Sequence, residues 1–378
     1  MRILLDARFW RKETGGIGRY SRELLRELLR LKTDDQFHVL LTPADEPQFA
    51  VRDARVHPHV VPIGHYSLAE QLRLPGLIRA LRPDVVHFLN FNQPLLPIGA
   101  PRVTTIHDLT VKYFPVGRQQ SDPVRRLAFN WVLRHAAASD AVIAVSRSTK
   151  IDIVRELGPD PARVHVIYES ADAVFAPRPA TELASFRQRV GLDRPYLLFV
   201  NQWRPHKGLP ELIQAFESLK ADGLPHKLVI TGKPNAHFPE LVRAIEASLY
   251  RAEIVLPGFV SDADLPCYMA AAEVLAFPSY YEGFGLPVLE AMRSGTPVVY
   301  AQSSSLPEVV GEAGLGVPPK DVPALAAALK RVLTDSALAK QLSRAGITRA
   351  KEFSWSTMAK QTYALYERVL RGQRTEVI

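Results

Sequence analysis

Short apolar runs alternate with amphipathic segments along the chain, the pattern of parallel sheets whose faces are covered by helices. In the first half, residues 3–5, 37–41, 85–88, 103–106, 141–145 and 164–167 predict strands. The segment after the first strand predicts a helix: Ile17, Tyr20, Leu24, Leu28 and Leu31 recur at spacings of three and four, with Arg22, Glu23, Arg26, Glu27 and Arg30 on the outer faces. The pattern breaks over 171–195, where Pro177, Pro179 and Pro195 bracket a polar stretch. It restarts with strands at 196–200, 228–231, 254–256, 274–277 and 298–300. Two doubly wound α/β domains joined near 172–194 follow, with ligands expected beyond the carboxyl ends of the strands, in a cleft between the two.

Composition narrows the class. A chain of 378 residues with 47% hydrophobic content is long enough for about two domains and excludes disorder. Cys267 is the single cysteine, so no internal disulfide forms, and no Cys/His array has zinc-finger spacing; a reducing cytoplasm is the expected home. Ile3, Leu4 and Leu5 are stopped by Asp6, and no later run approaches 18 apolar residues, so neither export nor a membrane span is expected. The net charge is +8, and residues 1–180 hold 25 Lys and Arg against 19 Asp and Glu. That bias suits an anionic membrane surface, a nucleic acid or a phosphorylated substrate, or a solvated surface without a ligand.

Chemistry in such sheets sits just after strands, and three loops stand out. Gly15-Gly16-Ile17-Gly18 lies between the first strand and its helix, where glycines let a ligand reach amides at a positive helix end. The spacing is not G-x-G-x-x-G, and a structural turn explains it as well as a phosphate does. The second loop is N-Q-W-R-P-H-K-G at 201–208. Arg204 and Lys207, three apart at a helix mouth, either clamp a diphosphate or face solvent. No Lys stands in a G-x-x-x-x-G-K-[ST] frame, which excludes a nucleoside triphosphatase of that type. The third is P-S-Y-Y-E-G-F-G-L-P-V-L-E-A-M at 278–292. Glu282 follows a strand, Gly283 and Gly285 expose amides, and Glu290 lies on the helix beyond, so the carboxylates address one group at the helix entrance and another deeper.

This string resembles the E-x7-E signature of the retaining glycosyltransferases of family 4. The resemblance runs in order through Gly15 to Gly18, Ile106-His107-Asp108-Leu109, Val145-Ser146, Arg204 with Lys207, Pro257 to Val260, Glu282 to Glu290, Gly295 to Val298 and Leu306 to Val310. It implies the α/β GT-B fold, two facing Rossmann-like domains. One would bind the acceptor (1–180, completed by a crossing helix at about 355–378), the other the nucleotide sugar (190–354). It implies that Arg204 and Lys207 hold the donor diphosphate and that Glu290 accepts hydrogen bonds from the ribose hydroxyls. Glu282 would meet the donor sugar, helped by amides around Phe284, Gly285 and Leu286. Gly16 would let the acceptor-side loop touch the diphosphate, His107 would line the sugar site, and Gly258 to Ser261, Val260 included, would border the nucleobase. Two departures stand out: Asn201-Gln202-Trp203 replaces small residues before the Arg, and Ser303-Ser304-Ser305 replaces a frequent Gly-Gly. Ser-Ser-Leu-Pro-Glu looks like a subset that assembles bacterial surface polysaccharides, many of them mannosyltransferases using GDP-mannose.

Breaking a glycosyl diphosphate bond develops negative charge on the leaving phosphate, which Arg204, Lys207 and helix amides can stabilise. No cofactor and no metal is therefore expected, only a nucleotide-sugar donor, GDP-mannose favoured and a UDP-sugar the alternative. Retention by same-face attack, assisted by the leaving phosphate, ranks ahead of double displacement. A sugar-nucleotide 2-epimerase shares the fold, but the E-x7-E string argues against it. A non-catalytic binding module would be expected to lose Arg204, Lys207 or a Glu, and a DNA glucosyltransferase would need aromatic and basic interleaving that the basic half lacks, so no nucleic-acid partner is expected. The acceptor is expected to be a glycan, lipid-linked in this subset. Segment 123–138 sets Arg125, Arg126 and Arg134 beside Leu127, Phe129, Trp131, Val132 and Leu133. It is the candidate for peripheral docking on the inner face of the cell membrane, though its apolar residues spread as widely as those of a helix packed on the sheet.

Overall fold

The computed structural model describes residues 1–116 and 122–372, and the chain divides into two compact units. The first comprises Met1–Glu169 and the returning segment from Ser354; the second is Ser170–Phe353.

In the first unit seven strands form one parallel sheet: β1 (Arg2–Asp6), β2 (Gln36–Leu41), β3 (Val56–Val60), β4 (Val85–Phe88), β5 (Arg102–Ile106), β6 (Ala141–Ala144) and β7 (Val164–Val166), in the order β3-β2-β1-β4-β5-β6-β7. Strands such as β4 and β6 are buried along their length, which is why they read as near-continuous apolar runs, broken in β4 by His87 alone. β3 has no counterpart in the sequence reading, because V-H-P-H-V has no apolar run and its central Pro58 argues against a strand interior. It forms because it is the edge strand, where the N–H that Pro58 lacks removes no ladder bond.

The helix after β1 is Gly16–Leu29, and it buries Tyr20, Leu24 and Leu28 as the spacing predicts. Glu23 and Glu27, expected on the outer face, are buried as well. The returning helix Trp355–Leu370 packs along the same helix and covers a second face, and the carboxylates keep cationic partners: Arg26 pairs with Glu23, and Arg30 Nη1 lies 2.6 Å from Glu27 Oε1. The returning helix is tied to the sheet by a buried relay. Tyr366 OH and His87 Nδ1 are 2.6 Å apart, His87 Nε2 and Thr105 Oγ1 2.8 Å, and Tyr20 OH also meets Thr105 Oγ1 at 2.9 Å. Burial, reinforced by His107, pushes His87 down to about 3, so this imidazole is neutral. Of the expected crossing segment, residues 373–378 lie outside the described residues.

The second unit repeats the plan with β8 (Tyr196–Val200), β9 (Lys227–Thr231), β10 (Ile254–Gly258), β11 (Val274–Phe277), β12 (Val298–Ala301) and β13 (Leu315–Val317), all parallel, in the order β10-β9-β8-β11-β12-β13. The three-residue edge strand β13 was not predicted; Leu-Gly-Val is too short to carry a period. The polar stretch before β8 holds a helix, Ala180–Arg189, that buries Phe186. Leu197, Phe199, Leu212, Phe216, Leu228 and Ile230 build a core between the sheet and its helices. Both sheets reverse their strand order once, between β1 and β4 and between β8 and β11, and loops leaving the carboxyl ends at such a reversal make the crevice where doubly wound sheets bind ligands. Among the described residues no helix is long and apolar enough to cross a membrane.

Candidate functional site

β8 and β11 are neighbours at the reversal in the second unit, so the loops that follow them lie side by side. The β8 loop turns through Pro205–Lys207 to Gly208, which caps the helix Leu209–Ala221. Gly208 has φ 71°, and a Cβ there would sit 2.3 Å from Pro278 O in the β11 loop. The loops are also joined by a hydrogen bond from Tyr280 N to His206 O at 2.8 Å. Gly208→Ala is therefore expected to lower stability by about 2 kcal/mol or more, from left-handed strain and backbone overlap together. Urea unfolding checks this, and an unchanged midpoint would contradict it.

The pairing of the loops brings Lys207 and Glu282 together. Lys207 Nζ lies 2.7 Å from Glu282 Oε1, and Asn201 Nδ2 donates to the same oxygen at 3.0 Å. Asn201 Nδ2 also reaches Ser279 Oγ at 3.1 Å. The backbone of Glu282 is held by the serines after β12: Glu282 N donates to Ser304 Oγ at 2.9 Å, and Ser305 Oγ donates to the carbonyls of Glu282 and Phe284 at 3.0 Å each. Ser304 adopts φ 47°, a conformation glycine takes freely; serine there adds the hydroxyl that receives the Glu282 amide. Both departures from the family pattern, Asn201 and the serine run, thus act on Glu282.

Positive charge in this corner comes from Lys207 and Arg204. Burial, with Lys207 and Arg204 adding to it, pushes His206 down to about 3, so His206 is neutral. Among the described residues Arg204 Nε is buried without a hydrogen-bond partner. Beyond Glu282, buried Phe284 packs edge-on to Phe353 at 5.6 Å, and Gly285 caps the helix Leu286–Arg293. Glu290 on that helix is 2% exposed. Gly258 and Val260 lie elsewhere: Gly258 ends edge strand β10 and Val260 follows it, two strands from β8. There Gly232 N donates to Gly258 O at 2.9 Å, and Lys233 Nζ stands 5.7 Å from the centre of the exposed Phe259 ring.

In the first unit His107 follows β5. Its Nδ1 is 3.0 Å from Glu169 Oε1, its Nε2 is 2.9 Å from Leu89 O, and its ring meets Tyr20 edge-on at 4.9 Å. Burial alone would lower the pKa of His107, but Glu169, the Leu89 carbonyl and Asp108 outweigh it and raise the pKa. The stability this contributes is fully present below the ordinary value and is lost as pH rises through the raised one. Gly16 opens the first helix and is exposed, whereas a Cβ on Gly18 would lie 2.3 Å from both Arg11 O and Thr14 Oγ1. Part of that glycine motif is thus a packing requirement. The sequence reading missed Asn201, Ser304, Ser305 and Glu169 as contacts of the site residues; only the two departures flagged any of them.

Residues 14–175 match the family model Glycosyltransferase Family 4, and residues 181–349 the model Glycosyl transferases group 1. O-antigen chain mannosyltransferase B of Escherichia coli is 30% identical over 371 residues, spanning 93% of this chain and 96% of the relative. The chain belongs to the family 4 glycosyltransferases. This glycosyltransferase is also 31% identical over 325 residues to glycogen synthase of Mycobacterium tuberculosis, covering 82% of the chain and 76% of that protein. HepE of Anabaena, solved in complex with UDP-glucose, has a TM-score of 0.76 at 20% identity over 97% of this chain and 99% of its own. The two parallel-sheet units and such neighbours give the chain the α/β GT-B fold.

Proposed function

We propose that this glycosyltransferase is a retaining, metal-independent mannosyltransferase that moves mannose from GDP-mannose to a growing, lipid-linked glycan in the synthesis of a bacterial surface polysaccharide. The observation that carries the reading is the corner after β8 and β11, where Lys207 is fixed by Glu282 and Arg204 keeps a buried Nε that has no partner among the described residues. Two cations stand where a nucleotide diphosphate would develop charge as it leaves. The mannose assignment is supported by the likeness to the E. coli O-antigen mannosyltransferase along almost the whole chain.

In this reading Arg204 and Lys207, with helix amides, stabilise the leaving phosphate, Glu290 binds the ribose hydroxyls, and Glu282 orients Lys207 and meets the sugar, helped by the amides around Phe284, Gly285 and Leu286. Gly258 and Val260 border the base. Gly16 serves the acceptor side and His107 the sugar. The acceptor hydroxyl attacks on the face that the phosphate leaves, and the phosphate oxygen takes its proton. A UDP-glucose donor is the second reading, favoured by the UDP-glucose complex of HepE.

The test is transfer of labelled mannose from GDP-mannose to a mannose-terminated, lipid-linked oligosaccharide in excess EDTA. The rate is expected to stay within about twofold of that with Mg²⁺, because side-chain cations stand in for the metal. Full loss on chelation, restored by Mg²⁺ or Mn²⁺, would contradict metal independence; transfer from UDP-glucose alone would contradict the donor.

Peripheral membrane docking belongs to the same proposal. The helix Pro123–Ala137 buries Leu133, Ala136 and Ala137 against the first unit, yet Leu127 and Trp131, one turn apart, are 73% and 64% exposed. Arg126 and Arg134 are exposed beside them, while the side chains of Val124 and Arg125 lie outside the described residues. A helix both packed and presenting two large apolar side chains between arginines suits an anionic headgroup layer. Cosedimentation with anionic liposomes is expected at low salt and lost at high salt, and Trp131→Ser should weaken it. No binding at low ionic strength would contradict docking.

A further inference from the structure

We infer that Glu169 is a positioning residue that keeps His107 doubly protonated and fixed in orientation, so that His107 acts as a cation and not as a base. The consequence for transfer, though not the pair itself, rests on the proposed place of His107 at the sugar.

The argument starts from the two ring nitrogens. Nε2 is 2.9 Å from Leu89 O, an atom that can only accept, so Nε2 carries a proton. Nδ1 is 3.0 Å from Glu169 Oε1, and a carboxylate there requires a proton on Nδ1 as well. Both nitrogens are then donors, and the ring has no lone pair with which to take a proton from an acceptor hydroxyl. The surroundings agree. Asp108 adds negative charge next in the chain, while His87 on β4 is neutral through burial. Tyr20, from the first helix, presents a ring edge and commits its hydroxyl to Thr105. From the helix Arg147–Leu157, Thr149 Oγ1 donates to His107 O at 3.4 Å. The pair is almost wholly enclosed, with side-chain exposures of 12% and 5%, where an imidazolium persists only beside a counter-charge. Burial that lowers the pKa of His107 is outweighed by Glu169 first and the carbonyl second.

The test uses the full chain with ¹⁵N-labelled histidines, the His107 signals being assigned by their loss in His107→Gln. In the wild type both nitrogens of His107 should be protonated at pH 7, with titration above the ordinary value of about 6.5. Glu169→Gln keeps the shape and removes the charge, so the titration should fall by about one pH unit or more, and the alkaline limb of kcat/KM should move to lower pH with it. A wild-type His107 that titrates at or below 6.5 overturns the inference without any variant, as does an unchanged titration in Glu169→Gln. A shifted titration with an unmoved kcat/KM profile would uphold the pair and overturn instead the place of His107 at the sugar.

Discussion

Glu290→Gln is expected to lose about tenfold or more in affinity for GDP and GDP-mannose alike, whereas Glu282→Gln keeps its affinity for GDP and loses turnover by about 100-fold or more. The difference follows from where each carboxylate stands. Glu290 lies on the helix Leu286–Arg293, 2% exposed, in the position proposed for the ribose, an interaction made equally in ground and transition states. Glu282 shares one oxygen between Lys207 and Asn201. Losing its charge frees Lys207 to lean on the diphosphate, so GDP affinity holds or tightens, while the sugar loses its carboxylate and Lys207 its fixed aim. Calorimetry with GDP and steady-state rates separate the two. Equal losses of GDP affinity in both variants would contradict the division of roles.

Arg204→Ala and Lys207→Ala are each expected to weaken GDP binding by about 10- to 150-fold, the range of one charge-assisted hydrogen bond at about 1.5–3 kcal/mol. Arg204 offers a buried Nε with no partner among the described residues, so a ligand phosphate adds a bond without breaking one. Lys207 must divide its ammonium between Glu282 and the phosphate, so its loss should be the smaller. Lys207→Ala also leaves Glu282 without its cation, and an unfolding measurement on the same variant separates that cost from the binding term. GDP affinity unchanged in both variants would contradict the diphosphate assignment.

Much of the fold is legible in the sequence for a simple reason: strands buried on both faces, such as Val85–Phe88 and Val274–Phe277, cannot avoid apolar runs. Edge strands escape that rule. Val56–Val60 carries Pro58 and two histidines because one side needs no partner, and Leu315–Val317 is too short to show a period. Glu23 and Glu27 mislead for the opposite reason: their spacing puts them on a face that looks solvated, yet both are buried, on a helix that also packs against the returning helix from the far end of the chain.

The candidate site divides in the same way. Its Glu282 to Glu290 string is local and can be read, as can the Arg204 and Lys207 spacing. The Lys207–Glu282 ion pair spans two loops, and only the adjacency of β8 and β11 makes it. The hydroxyl of Ser304 matters through a left-handed backbone that no composition reveals, and Glu169 is an ordinary carboxylate until β5 and the segment after β7 place it on His107.

The central claim, a GDP-mannose-dependent transferase, is tested most directly by calorimetric titration of the wild-type chain with GDP-mannose and with UDP-glucose. The account predicts that GDP-mannose binds at least about tenfold more tightly, a difference of about 1.4 kcal/mol. Tighter binding of UDP-glucose, or heat from neither nucleotide sugar, would contradict it.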